Sequence, residues 1–236
     1  MILDRPNPIG GTHVEGPGLD LKFTSFVGMA PIPIRHGMTM GELAMLFNQN
    51  INAKLEVIWM QGWKRSWHFE DTGLPWVFPS PNIPTLESAL VYPGFCLLEG
   101  TRLSEGRGTT RPFEIFGAPF IEPDLVLKDL EKEKLPGVKL RPLFFEPTFQ
   151  KHAHTLCGGF QAHITNRKTF KSVLSAVAVL SAIHRRYPQE SLWNPPPYEY
   201  ETKKLPFDIL AGTDRLRKDL EAGLSIKKLE HSWEPG

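Results

Sequence analysis

The chain has 236 residues, 41% of them hydrophobic and 22% charged. That is enough for one large domain or two small ones around an ample core. A formal net charge of +1, with Lys and Arg spread along the chain, argues against a dedicated nucleic-acid binder. Cys96 and Cys157 make no disulfide framework, though a single bridge stays open, and the longest apolar run, around Ser172 to Ile183, is too short to span a bilayer.

In chain order, Ile2 and Leu3 read as the last residues of a buried strand, followed by the polar loop Asp4-Arg5-Pro6-Asn7-Pro8. A domain rarely starts at the end of a strand, so the chain reads as the C-terminal part of a longer protein. The first residues lack the basic and apolar regions of a signal peptide. Residues 10–38 are rich in Gly and Pro and read as extended, with one short strand from Phe23 to Val27.

Thr39 and Glu42 form a capping box that opens a helix to Asn48, with Leu43, Leu46 and Phe47 on its apolar face. A strand follows from Leu55 to Met60. A shorter helix runs from Thr85 to Tyr92, and a buried strand from Phe95 to Leu98 delivers Glu99 to a loop. Asp124 caps a helix to Leu135, which Pro136-Gly137 ends. Val138 to Phe145 and Phe160 to Thr165 alternate as strands do.

The strongest helical pattern runs from Thr169 to Tyr187, with Phe170, Val173, Leu174, Val177 and Leu180 at helical spacing. His184, Arg185 and Arg186 suit its last turn, where the dipole favours cations. A Pro-rich loop, Asn194 to Tyr198, precedes two short helices, Asp214 to Ala222 and Ser225 to Trp233. Helices and strands interleave, so the fold class is mixed α/β.

The chemistry concentrates between Asp71 and Glu114, in loops punctuated by Gly and Pro. Glu99, Glu105 and Glu114 suit the paired carboxylates of a glycosidase, or they pair structurally with Arg102, Arg107 and Arg111. Arg107 and Arg111 either clamp an anionic group or lie solvated. Gly106 and Gly108 either admit a ligand or simply make turns. Gly106-x-Gly108 is not a dinucleotide fingerprint. His152, His154, Cys157 and His163 have no metal-site spacing, so no metal and no cofactor are expected. Trp59, Trp63 and Trp67 suit core packing better than sugar stacking, and Trp76, flanked by polar loop, is the better stacking candidate. Ser80 and Ser104 lack the nucleophile elbow of a serine hydrolase.

Taken together, Asp4 to Pro8, Glu15-Gly16-Pro17, Arg35 to Thr39, Gly62 to Arg65, Asp71 to Trp76, Ser80 to Thr85 and Leu103 to Glu114 resemble the YbbC/NamZ family. So do Pro147-Thr148-Phe149, Cys157-Gly158-Gly159, Gly212-Thr213-Asp214 and Gly223-Leu224-Ser225. The resemblance implies an exo-acting β-N-acetylmuramidase that releases N-acetylmuramic acid from the non-reducing end of peptidoglycan fragments, usually outside the cytoplasm. It implies the C-terminal domain of a two-domain enzyme whose N-terminal Rossmann-like domain is largely absent. Residues 1–18 would end that first domain and residues 19–236 would form the second.

In this reading Glu105 takes an acid/base or orienting role. Arg107 and Arg111 offer partners to the lactyl carboxylate, Asn82 orients sugar substituents and Trp76 stacks. Asp71, Asn7 and Arg5 complete the binding set. The partners are peptidoglycan-derived saccharides and the preceding N-terminal domain, with no nucleic acid and no membrane span. The resemblance also implies a further helix past Trp233. A non-catalytic muropeptide-binding domain and an incomplete fragment are the alternatives.

Overall fold

The computed structural model describes residues 1–233. Residues 234–236, and with them the expected helix past Trp233, lie outside the described residues. The chain opens with β1 (Ile2–Leu3), a hairpin of β2 (Glu15–Gly18) and β3 (Pro33–Arg35), helix α1 (Met40–Ile51) and β4 (Val57–Ile58). The Thr39 hydroxyl accepts from the Glu42 amide, and the Glu42 carboxylate accepts from the Thr39 amide, which starts α1 as the sequence predicts. β1 pairs in parallel with β4, and α1 lies between them in sequence and packs on β1. The three elements form one β–α–β unit. Its cause is local, because Asp4 Oδ1 accepts from the Gly41 amide at 2.7 Å and so ties the end of β1 to the start of α1.

Helix α2 (Leu86–Phe95) starts at Thr85, whose hydroxyl accepts from the Ser88 amide. Pro93 lies inside it and supplies no N–H to the turn before, so the helix tightens into a 3₁₀ segment, Cys96–Gly100. The expected strand from Phe95 to Leu98 is therefore helical. Likewise the expected strand from Phe23 to Val27 is replaced by a 3₁₀ turn, Leu21–Phe23, capped by the Asp20 carboxylate.

A three-stranded antiparallel sheet follows, in the order β5 (Ile115–Ala118), β7 (Cys157–Ile164), β6 (Val138–Phe145). Pro142 sits in β6 at the sheet edge, where its missing N–H costs no ladder bond. Helix α3 (Pro123–Leu130) joins β5 to β6, with Asp124 in its first turn rather than at its cap.

Helix α4 (Ser172–Arg186) is the centre of the core. Its residues from Ser172 to Ile183 are all buried, and it packs on α2 and α3. Each buried Val, Leu or Ile contributes about 1.5–3 kcal/mol relative to exposure. The Ser172 hydroxyl donates to the Val91 carbonyl and accepts from the Gly94 amide, which locks the start of α4 to α2. Among the described residues three short helices follow, α5 (Pro206–Ala211), α6 (Arg215–Glu221) and α7 (Ile226–His231).

A buried ion pair joins the opening hairpin to this core. Arg35 donates to Glu15 Oε1 at 2.5 Å, and Glu15 Oε2 accepts from the Val173 amide at the start of α4. Arg35 also donates to the Ile9 carbonyl.

Candidate functional site

The 3₁₀ segment that ends α2 presents Glu99, and the loop after it runs through Glu105 and Arg107 to β5. That loop is pinned by two bonds between Ser104 and Gly117 and by the Phe113 amide on the Glu105 carbonyl. Gly106 and Gly108 have φ of +78° and +85°. A Cβ on Gly106 would lie 2.2 Å from the Ile115 carbonyl oxygen, and one on Gly108 would lie 2.7 Å from the Phe149 amide. These glycines serve close backbone packing within the chain, which is the plainer of their two readings.

Two further loops complete the cluster. The loop after β6 is tied down by Thr148, whose amide and hydroxyl both donate to the Gly108 carbonyl, and it brings in Lys151. The Pro-rich loop is tied down by Asn194, whose side chain donates to the carbonyls of Glu99 and Thr101, and it brings in Tyr198.

The Arg107 guanidinium lies between two carboxylates. Its Nη2 is 3.1 Å from Glu99 Oε2 and its Nη1 donates to Glu105 Oε1 at 3.1 Å. It also lies over the buried Phe113 ring, 5.4 Å from the centroid. Lys151 Nζ is 3.0 Å from Glu105 Oε2. That contact is an ion pair rather than an aligned hydrogen bond, because the ammonium donates instead to the carbonyls of Leu98, Glu99 and Leu103. The Tyr198 hydroxyl donates to Glu99 Oε2 at 3.4 Å. Tyr92, edge-on to Phe113, leaves 40% of its surface open beside them.

Burial decides the electrostatics. The Glu105 side chain is 2% exposed, against 12% for Glu99 and 24% for Arg107. Burial pushes the Glu99 carboxyl up, Arg107 draws it down and Glu105 raises it again. Burial also lowers the Lys151 ammonium, against the pull of Glu105. Tyr92 and Tyr198 are both raised, chiefly by burial, and the Cys96 thiol is pushed up to about 12 by the same cause. A largely buried carboxyl with a raised pKa and a small exposed fraction suits proton transfer.

The other residues singled out in the sequence are engaged elsewhere. Arg111 is exposed and lies 3.6 Å from Glu114, whose carboxylate accepts from Ser88 and Thr85 at the start of α2. Asp71 accepts from the His68 amide and caps a 3₁₀ turn, Phe69–Thr72. Trp76 packs edge-on against Phe69, with centroids 5.2 Å apart. The Asn82 amide donates to the Ser80 hydroxyl in the turn before α2. Asn7 bridges the Met38 carbonyl and the Ile9 amide, and Arg5 is exposed just past β1.

Of the eight named residues, the structure brings together Glu105 and Arg107. Lys151 and Tyr198 join them from distant loops without any local sequence signal. Trp59 is 50% exposed, and Trp63 and Trp67 are partly exposed, so this trio is not core. His152 bonds the Arg102 carbonyl, and among the described residues no three His, Cys, Asp or Glu side chains gather as a metal site. Cys96 and Cys157 are both free and buried. Among the described residues, no helix is long and apolar enough to cross a membrane.

Comparison with known proteins gives matches along nearly the whole chain. Residues 1–87 match the family model described as exo-beta-N-acetylmuramidase NamZ, N-terminal, and residues 90–236 match its C-terminal counterpart. The peptidoglycan beta-N-acetylmuramidase NamZ of Bacillus subtilis (strain 168) is 48% identical over 236 residues, which cover 99% of this chain and 55% of that protein. Two crystal structures of DUF1343 family proteins from Bacteroides fragilis NCTC 9343 also match. One has a TM-score of 0.81 at 28% identity, covering 98% of this chain and 64% of that one. The other has a TM-score of 0.69 at 29% identity, covering 99% and 61%. The chain thus spans about half the length of the curated relative.

The two family matches overturn the expectation of a C-terminal domain whose N-terminal partner is largely absent. Residues 1–87 carry N-terminal family sequence, and the structure folds them into the β1–α1–β4 unit and the β2–β3 hairpin.

Proposed function

The chain belongs to the NamZ exo-β-N-acetylmuramidase family, and from that membership we propose that it acts as a glycosidase on peptidoglycan fragments, releasing N-acetylmuramic acid from their non-reducing end. One observation carries the placement of its chemistry. Two carboxylates, Glu99 and Glu105, share the guanidinium of Arg107 in a largely buried cluster whose most exposed member is Arg107, at 24%.

Cleavage of a glycosidic bond needs a proton on the leaving oxygen and a water at the anomeric carbon. Glu99 combines enough burial to hold a proton with enough exposure to deliver one, so it takes the donor role. Glu105 and Lys151 hold Arg107 from the interior, which makes Glu105 a positioning residue. Arg107 receives the lactyl carboxylate that distinguishes N-acetylmuramic acid from N-acetylglucosamine. Tyr92 offers a ring face for stacking in the place assigned from sequence to Trp76.

The test is a pair of chromogenic substrates. The protein should release chromophore from a β-N-acetylmuramide and leave the matching β-N-acetylglucosaminide uncut. Equal rates on both would remove the lactyl group from the recognition.

A further inference from the structure

The charges of the cluster cancel. Glu99 and Glu105 contribute two negative charges, and Arg107 and Lys151 two positive ones. Three of the four are held firmly. Lys151 is fixed by three carbonyl oxygens, Glu105 is almost wholly buried between Lys151 and Arg107, and Arg107 rests on the Phe113 ring. Glu99 is held more loosely. Its side chain has one ion pair, at 3.1 Å, and a 3.4 Å contact from the Tyr198 hydroxyl.

A carboxylate ligand entering this site would leave a net negative charge among side chains that are at most 24% exposed, which is costly. The charge stays balanced if one carboxylate of the protein gives up its place and becomes neutral. Glu105 is enclosed, so Glu99 is the group free to yield.

We propose that the carboxylate of an anionic sugar displaces Glu99 from Arg107, and that Glu99 takes up one proton from solvent as it leaves. This rests on the reading that the cluster faces the saccharide, and it goes further, because the ligand's own charge then loads the donor. The titratable and charged groups around Glu99 are Tyr92 from α2, Cys96 from its own 3₁₀ segment, Glu105 and Arg107 from the following loop, Lys151 from the loop after β6, and Tyr198 from the Pro-rich loop. Burial raises the Glu99 carboxyl first, Glu105 adds to that, and Arg107 and Lys151 oppose it. Once a ligand takes over Arg107, the strongest of the opposing pulls is lost. Binding of the neutral analogue leaves the Glu99–Arg107 pair in place and takes up no proton.

The experiment is calorimetric titration of the protein with N-acetylmuramic acid and with N-acetylglucosamine, each in two buffers of different ionisation enthalpy near neutral pH. The expected result is uptake of about one proton with the acidic sugar and none with the neutral one, and an affinity for the acidic sugar that falls up to about tenfold per pH unit above the Glu99 pKa. Glu99→Gln should bind N-acetylmuramic acid with no proton uptake. Binding of N-acetylmuramic acid with the same heat in both buffers would overturn this inference and leave the proposed function standing, as would undiminished uptake in Glu99→Gln. If neither sugar binds, both fall.

Discussion

Glu105 and Lys151 meet at 3.0 Å inside the protein, although they come from loops on opposite sides of β5 and β6 in the sequence. Lys151 also donates to the carbonyls of Leu98 and Glu99 and to that of Leu103 in the loop that follows. The pair therefore holds the geometry of the cluster. Lys151→Met leaves Glu105 with Arg107 alone and takes one donor from each of three carbonyls, of which that of Leu98 keeps Thr101 and that of Glu99 keeps Asn194. The expected loss is about 3 kcal/mol, in the range for breaking a buried pair. Urea denaturation measures it, and a change within experimental error would show that the contact carries no structural weight.

Glu99→Gln removes the proposed donor while keeping its shape. Turnover should fall about a hundredfold or more, in line with losing a general acid. Glu105→Gln should cost at least about tenfold with the fold intact, since it weakens the hold on Arg107. Circular dichroism beside initial rates separates a chemical loss from an unfolded protein. A Glu105 variant at wild-type turnover would remove that residue from the site.

The raised Glu99 pKa sets the pH dependence. A carboxyl raised by burial keeps its proton to higher pH than a free Glu. The donor is fully loaded below that pKa and is lost as the pH rises through it. The rate should therefore fall on the alkaline side through a limb displaced upward from the usual carboxylate range, and Glu99→Gln should lack that limb. The profile of kcat/KM against pH reads this directly.

Arg107→Lys keeps the charge but loses the two-sided guanidinium that reaches both carboxylates. KM for the acidic substrate should rise by about tenfold or more, corresponding to about 1.4 kcal/mol, with a smaller change in kcat. A rise confined to kcat would argue that Arg107 does not bind the substrate's ground state.

Gly106→Ala places a methyl group 2.2 Å from the Ile115 carbonyl oxygen at a φ of +78°. Positive φ alone costs an L-residue about 1–3 kcal/mol, and the backbone contact adds to it. Thermal unfolding should register the loss, and a neutral result would show that the loop relaxes freely.

What was legible in the sequence was local. The capping box of Thr39 and Glu42, the alternation along β6 and the helical spacing of α4 each arise within a few turns of chain, and the structure reproduces them with boundaries shifted by a few residues. Phe95 to Leu98 misled because a short apolar run fits a strand or a buried helical turn equally well. Pro93, which tightens α2, is the signal that favours the turn. Helix α5 was missed although Pro206 at its start and Gly212 at its end are standard marks, because six residues give too little periodicity. Glu105 and Arg107 lie two residues apart, so their pairing was readable, whereas Lys151 and Tyr198 reach the site through tertiary packing. Asp71, Asn82 and Asn7 are polar loop residues engaged in turns and caps, a use that composition does not separate from ligand binding.

The most direct measurement is hydrolysis of a chromogenic β-N-acetylmuramide by the purified chain, run beside its Glu99→Gln variant and the full-length Bacillus subtilis relative. The account predicts release well above the enzyme-free rate for the chain, and release reduced about a hundredfold or more for the variant. No release beside an active relative would contradict the claim that the chemistry lies within these 236 residues.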